Sequence, residues 1–162
     1  MGSNVSDCFQ NAPCTDCLET DSGQSLTYNI SGRLMRQRSD GLNVCDVYTF
    51  QQSIASGSMG LVAKIVKTDT NVMYALKTIH LEKLTDAIIQ ELQNEINILM
   101  DLDHPNIIRA LDLFTQNHFF YLVMELCNGG DLYTRLPYSE SQSALIVNQV
   151  CSAVVYLHEK GI

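Results

Sequence analysis

The chain is short of positive charge. Ten Lys and Arg stand against 18 Asp and Glu among 162 residues, a formal net charge of -8. Nucleic-acid partners need a basic face to meet their phosphates, so an acidic chain is a poor candidate for binding them. Long apolar runs are lacking too. No stretch approaches the ~18 residues of a membrane-spanning helix, and no secretory signal opens the chain. Metal-ligand clusters are also missing. Cys14-Thr-Asp-Cys17 is a lone C-x-x-C pair, and a zinc site needs two more ligands at suitable spacing. Without a secretion signal the six cysteines are expected to be reduced and the location cytoplasmic. What is present is an apolar fraction of 46%, which suits a folded core in one domain of ordinary size.

Residues 1–44 show no sustained period of 2 or 3.6. Ser, Asp, Asn, Gln and Gly dominate them, and the expectation is a disordered arm. "MGSNVS" fits M-G-x-x-x-[ST], with Gly2 as the myristoyl acceptor and Ser6 at the last position. One myristoyl chain binds a membrane surface only marginally. A second acyl chain on Cys8, or on Cys14 or Cys17, would be needed for stable association. Arg33, Arg36 and Arg38 form the one basic cluster, and Arg36 precedes Ser39 at the spacing a basophilic kinase reads.

Order is expected from about Tyr48. "VYTFQQSI", "LVAKIVKT" and "VMYALKTI" read as three strands, and "IIRALDLF" and "FFYLVMEL" as two more. Turns fall at "SGSMG", Asp69-Thr70-Asn71 and Gln116-Asn117-His118. One helix, about Thr85 to Met100, sits after the third strand. The fold class is therefore α+β, a five-stranded antiparallel sheet with a helix packed on it. Ile88, Leu92, Ile96 and Leu99 are spaced as a buried stripe. At about 100° per residue, Glu95 falls inside that stripe. A carboxylate on a buried face needs a cation, and Lys77 in the third strand offers one.

Gly57 and Gly60 free the first turn from Cβ atoms, so its N–H groups could approach phosphate oxygens. The strand-to-strand setting excludes both a Walker A loop and a Rossmann fingerprint. Together, loop, lysine and glutamate resemble the small lobe of a protein kinase. "ASGSMGLV" resembles G-x-G-x-x-G-x-V, "YALK" resembles V-A-I-K, and "NEINIL" carries the helix glutamate. "LDHPNII", "YLVMELCNGGDLYTRL" and "PYSESQSALIVNQVCSAVVYLHEKGI" resemble the segment before the hinge, the hinge, and the long helix opening the large lobe. The resemblance runs from about Tyr48 to Ile162. Its hinge and long helix are most similar to calcium/calmodulin-dependent and calcium-dependent serine/threonine kinases.

The resemblance implies a small lobe at about 48–124, a hinge at about 125–130 and the start of a large lobe at 131–162. It implies that Lys77 holds the α- and β-phosphates of ATP and pairs with Glu95. Ser58, Met59 and Gly60 would cover the phosphates with backbone N–H groups. Ile54, Val62 and Ala75 would line the adenine pocket, with Met124 at its back. Main-chain groups of Glu125 and Cys127 would meet the adenine edge, and Asp131 would lie near the ribose or a substrate residue. Ala55 stands where the family has its first loop glycine. The change is cheap if that position has ordinary strand geometry.

The motifs H-R-D-x-x-x-x-N, D-F-G and A-P-E occur nowhere in the 162 residues. In the family the first two carry the catalytic base and the magnesium ligands. Without them no meaningful phosphoryl transfer is expected of the chain as written. No D-x-[DN]-x-[DN]-G calcium loop occurs either. The last helix begins with a capping box, Ser139 to Gln142, and stops before Gly161. Leu145, Ile146 and Val147 make it apolar on most sides, as in a helix meant to be surrounded. The expectation is the N-terminal part of a Ser/Thr kinase, cut before the catalytic loop. The alternative is a non-catalytic, membrane-tethered nucleotide-binding or interaction module.

Overall fold

A computed structural model describes residues 42–57, 60–116 and 118–162 of the protein. Alternating apolar positions build five strands. They are β1 (Tyr48–Gly57), β2 (Gly60–Lys67), β3 (Met73–His80), β4 (Ala110–Gln116) and β5 (Phe119–Glu125). All pairings are antiparallel, in the order β1-β2-β3-β5-β4. Asn71 and His118 take positive φ at the turns after β2 and β4, a conformation Asn and His tolerate better than most residues. The five-stranded sheet expected from the sequence is thus present, although "IIRALDLF" pairs as β4 only from Ala110 onward.

The two faces of the sheet carry separate cores. One contains Ile79, Leu113, Phe120 and Leu122, together with Ile89 and Ile96 of the helix after β3. The other contains Ile65, Leu76, Phe114, Tyr121 and Val123, closed by Val44 and Tyr48. Val44 belongs to a short helix, α1 (Val44–Val47), lying ahead of β1. Its backbone N–H donates to Gln116 Oε1 at 3.3 Å, and Thr68 N–H donates to Val47 O at 2.9 Å. Packing therefore begins ahead of Tyr48 and takes in Val44, which the sequence reading leaves in the arm. A four-residue helix is too short to show a period. Gly2 and Cys8 lie outside the described residues.

The helix α2 (Asp86–Asp101) starts at Thr85, whose side chain accepts from Ile88 N–H. A second long helix, α3 (Glu140–Glu159), has the expected capping box at Ser139 and ends at Gly161 with φ +77°. No residue of α3 is buried. Its tie to the sheet unit runs through the loop after α2. Asp103 N–H donates to Tyr156 Oη at 3.0 Å, and His104 Nε2 lies 3.1 Å from Ser152 Oγ. The His104 and Tyr156 rings stack with centroids 5.0 Å apart. Among the described residues no helix is long and apolar enough to cross a membrane.

Candidate functional site

Strand register decides which side chains share a face. Directly opposed residues in an antiparallel pair point the same way. Val62 opposes Lys77, and Lys77 opposes Leu122. Two residues back along β3, Ala75 opposes Met124. Alternation along β3 puts Ala75 and Lys77 on one side. Val62, Ala75, Lys77 and Met124 therefore form one patch, on the face whose core lies under α2. Ala75 is buried, while Val62, Lys77 and Met124 are half-buried. Lys64 opposes Ala75 and so shares this face, which gives an apolar floor with two ammonium groups at its margin, those of Lys64 and Lys77.

Strand β1 pairs with the β2 side of that patch. Ala55 opposes Val62 and follows a register irregularity between Ser53 and Ala55. Among the described residues only Asn71 and His118 are non-glycines with positive φ, so Ala55 keeps ordinary strand geometry. Its extra methyl brings no backbone strain. Ile54 is half exposed beside it. The two glycines differ. A Cβ on Gly57 would meet nothing within 4 Å. Gly60 has φ +133°, and a Cβ there would lie 1.9 Å from the carbonyl oxygen of Thr78. Gly60 is thus required by the approach of β2 to β3, a role separate from any ligand. Ser58 and Met59 lie outside the described residues.

After β5 the chain enters an exposed segment holding Glu125, Cys127 and Asp131. Glu125 is clamped to Arg109. Its N–H donates to Arg109 O at 3.0 Å, and its Oε1 accepts from Arg109 N–H at 2.8 Å. This fixes the point where β5 ends. Asp131 accepts from Thr134 N–H at 2.7 Å. That backbone bond, helped by the Thr134 side chain, holds its carboxyl below the usual value. The contact ties Asp131 to the turn Tyr133–Arg135, whose N-cap position is Leu132.

Glu95 departs from the expectation. It is exposed, and among the described residues no ion pair joins it to Lys77 within 4.0 Å. Ile88 is also exposed, at 46%, whereas Ile89 is 5% and Ile96 2% exposed. The buried face of α2 is centred on Ile89, Gln93 and Ile96, with Leu92, Leu99 and Met100 partly covered. The cause is a helix apolar on more than one side. Spacing alone did not distinguish the Ile88 stripe from the Ile89 stripe, and the exposed choice spares Glu95 desolvation. Two groups outside the expected set also matter. Gln93 is a buried polar residue on α2, and His104 fastens the loop to α3. The sequence offered no signal for Gln93 beyond its place one turn from two isoleucines.

Among the described residues no three His, Cys, Asp or Glu side chains converge to hold a metal ion.

A family profile described as the protein kinase domain matches residues 48–162. The chain belongs to the protein kinase family. It is 34% identical over 127 residues to serine/threonine-protein kinase 33 of Mus musculus, covering 76% of this chain and 26% of that one. It is 37% identical over 122 residues to calcium-dependent protein kinase 5 of Plasmodium falciparum (isolate 3D7), covering 72% and 21%. With calcium/calmodulin-dependent protein kinase type II of Caenorhabditis briggsae the identity is 31% over 129 residues, covering 75% and 24%. The matched region is thus about a quarter of the length of these relatives, and the fold is that of a kinase small lobe with part of a large lobe.

Proposed function

We propose that this chain is the ATP-binding part of a serine/threonine protein kinase. The observation that carries the reading is the shared face of Val62, Ala75, Lys77 and Met124. A planar base fits an apolar floor, and its edge meets the hinge backbone at Glu125 and Cys127. A polyphosphate extending from it would run toward Lys77 and under the β1–β2 turn. A half-buried ammonium is screened less than an exposed one, so its attraction for phosphate is stronger there. Open space at Gly57 leaves room for the turn to lie over the phosphates.

These groups bind and orient. The intact kinase would pass the γ-phosphoryl group to a Ser or Thr of a protein substrate, with magnesium screening the phosphates.

Titration calorimetry of ATP into the chain tests the reading. Saturable binding is expected, and Lys77→Met should remove it while leaving the circular dichroism spectrum unchanged. Undiminished ATP binding by the Lys77→Met variant would take Lys77 out of the site.

A further inference from the structure

We infer that Lys64 is a second cationic residue of the nucleotide site, attracting the polyphosphate that Lys77 holds. This rests on the nucleotide-binding reading above.

Strands β2 and β3 pair without irregularity, so their register settles the side of Lys64. Lys64 opposes Ala75, and Lys77, two residues on from Ala75, opposes Val62. The two lysines are therefore diagonal neighbours on one face, about 7–8 Å apart by strand geometry. Both are half-buried. The sheet residues beside them carry no charge. Gln52 opposes Lys64 from β1, and Val62, Ala75 and Met124 complete the face.

Among the described residues no carboxylate stands within 4.0 Å of Lys64 or Lys77. The acids that follow β3 and β5 are turned away or engaged. Glu125 opposes Tyr74, on the other side of the sheet, and accepts from Arg109 N–H. Asp131 accepts from Thr134 N–H. Lys67, further along β2, gives the contrast, since its Nζ lies 3.3 Å from Asp69 Oδ2. The chain as a whole carries a net charge of -8, yet this face pairs two ammonium groups with no acid. Like charges at this spacing repel each other, and an anion over the face turns that repulsion into attraction for the ligand.

The register also sets the role. The β1–β2 turn closes at Gly57 and Gly60, and Lys64 lies further from it than Val62 does. Lys64 thus stands beside the apolar floor, and Lys77 lies closer to the turn. Phosphates at Lys77 fall within one Debye length of Lys64, about 8–10 Å at ordinary salt. Lys64 attracts them through space, and its half-burial weakens the screening. An uncharged base gains nothing from it. Its contribution therefore grows with the charge of the ligand, from adenosine to ADP to ATP.

The test is Lys64→Gln in the 162-residue chain, with calorimetry of ATP, ADP and adenosine. At low salt ATP affinity should fall by about threefold to tenfold, ADP affinity by less, and adenosine affinity by less than about twofold. Near 0.5 M salt the loss for ATP should shrink below about twofold, because the Debye length is then only about 4 Å. Lys64→Arg keeps the charge and should bind ATP within about twofold of the unsubstituted chain. A purely structural role would weaken all three ligands alike at every salt concentration, and that result would overturn the inference. Equal losses in Lys64→Gln and Lys64→Arg would overturn it too. Unchanged ATP affinity in Lys64→Gln, with binding still lost in Lys77→Met, would defeat this inference alone. Absence of ATP binding by the unsubstituted chain would defeat the nucleotide reading and this inference with it.

Discussion

The sheet unit and α3 are made of similar residues and end in opposite states. Both are rich in Val, Ile and Leu. In the sheet, Ile65, Leu76 and Val123 reach 0% exposure. In α3, Leu145, Val147, Val150 and Val155 are each more than half exposed. The difference lies in partners. Strands β1–β5 with α1 and α2 supply both layers of two cores, so the face carrying Val62, Ala75, Lys77 and Met124 rests on packing complete within residues 42–125. The helix α3 is held by its own hydrogen bonds, its cap, and the His104–Tyr156 contact. A family-wide motif therefore says nothing by itself about which segment is stabilised by burial.

Core truncation should sharpen that contrast most. Phe120→Ala removes a ring that is 2% exposed and should cost about 3–5 kcal/mol in a denaturant titration. Leu145→Ala, at 59% exposure, should stay within about 0.5 kcal/mol. Equal costs would break the comparison. The glycines come next. Gly60→Ala forces a Cβ against the Thr78 carbonyl in a positive-φ position and should cost ~3 kcal/mol. Gly57→Ala meets open space and should shift stability by less than about 0.5 kcal/mol.

The smallest effect belongs to Asp131. Its carboxyl is held below its ordinary value by Thr134, so the folded turn binds its proton less readily than the unfolded chain. The Thr134–Asp131 bond should be fully present above the ordinary carboxylate range and be lost as the pH falls through the depressed value. The Thr134 amide resonance followed by NMR against pH should move only in that acid window. Movement near neutrality would point to another group.

Much of the sheet was legible because alternation and turn residues agree. "MYALKTI" has both a strand period and β-branched residues, and Asn71 marks the bend ahead of it. The α3 cap was legible because Ser139 and Gln142 bond each other's backbone wherever the helix lies. Glu95 was not, since Ile88 and Ile89 are equally apolar and only tertiary packing selects between them. Val44 was missed for want of length. The shared face of Val62, Lys77 and Met124 needed the register, which depends on pairings between segments far apart in sequence.

Hydrogen exchange with and without ATP tests the central claim most directly. Added ATP should slow exchange in Ile54–Gly57, in Val62 to Lys77 where the strands form the patch, and at Glu125–Cys127. Amides of α3 should be unchanged. Protection confined to α3, or none in β1–β3 at saturating ATP, would contradict it.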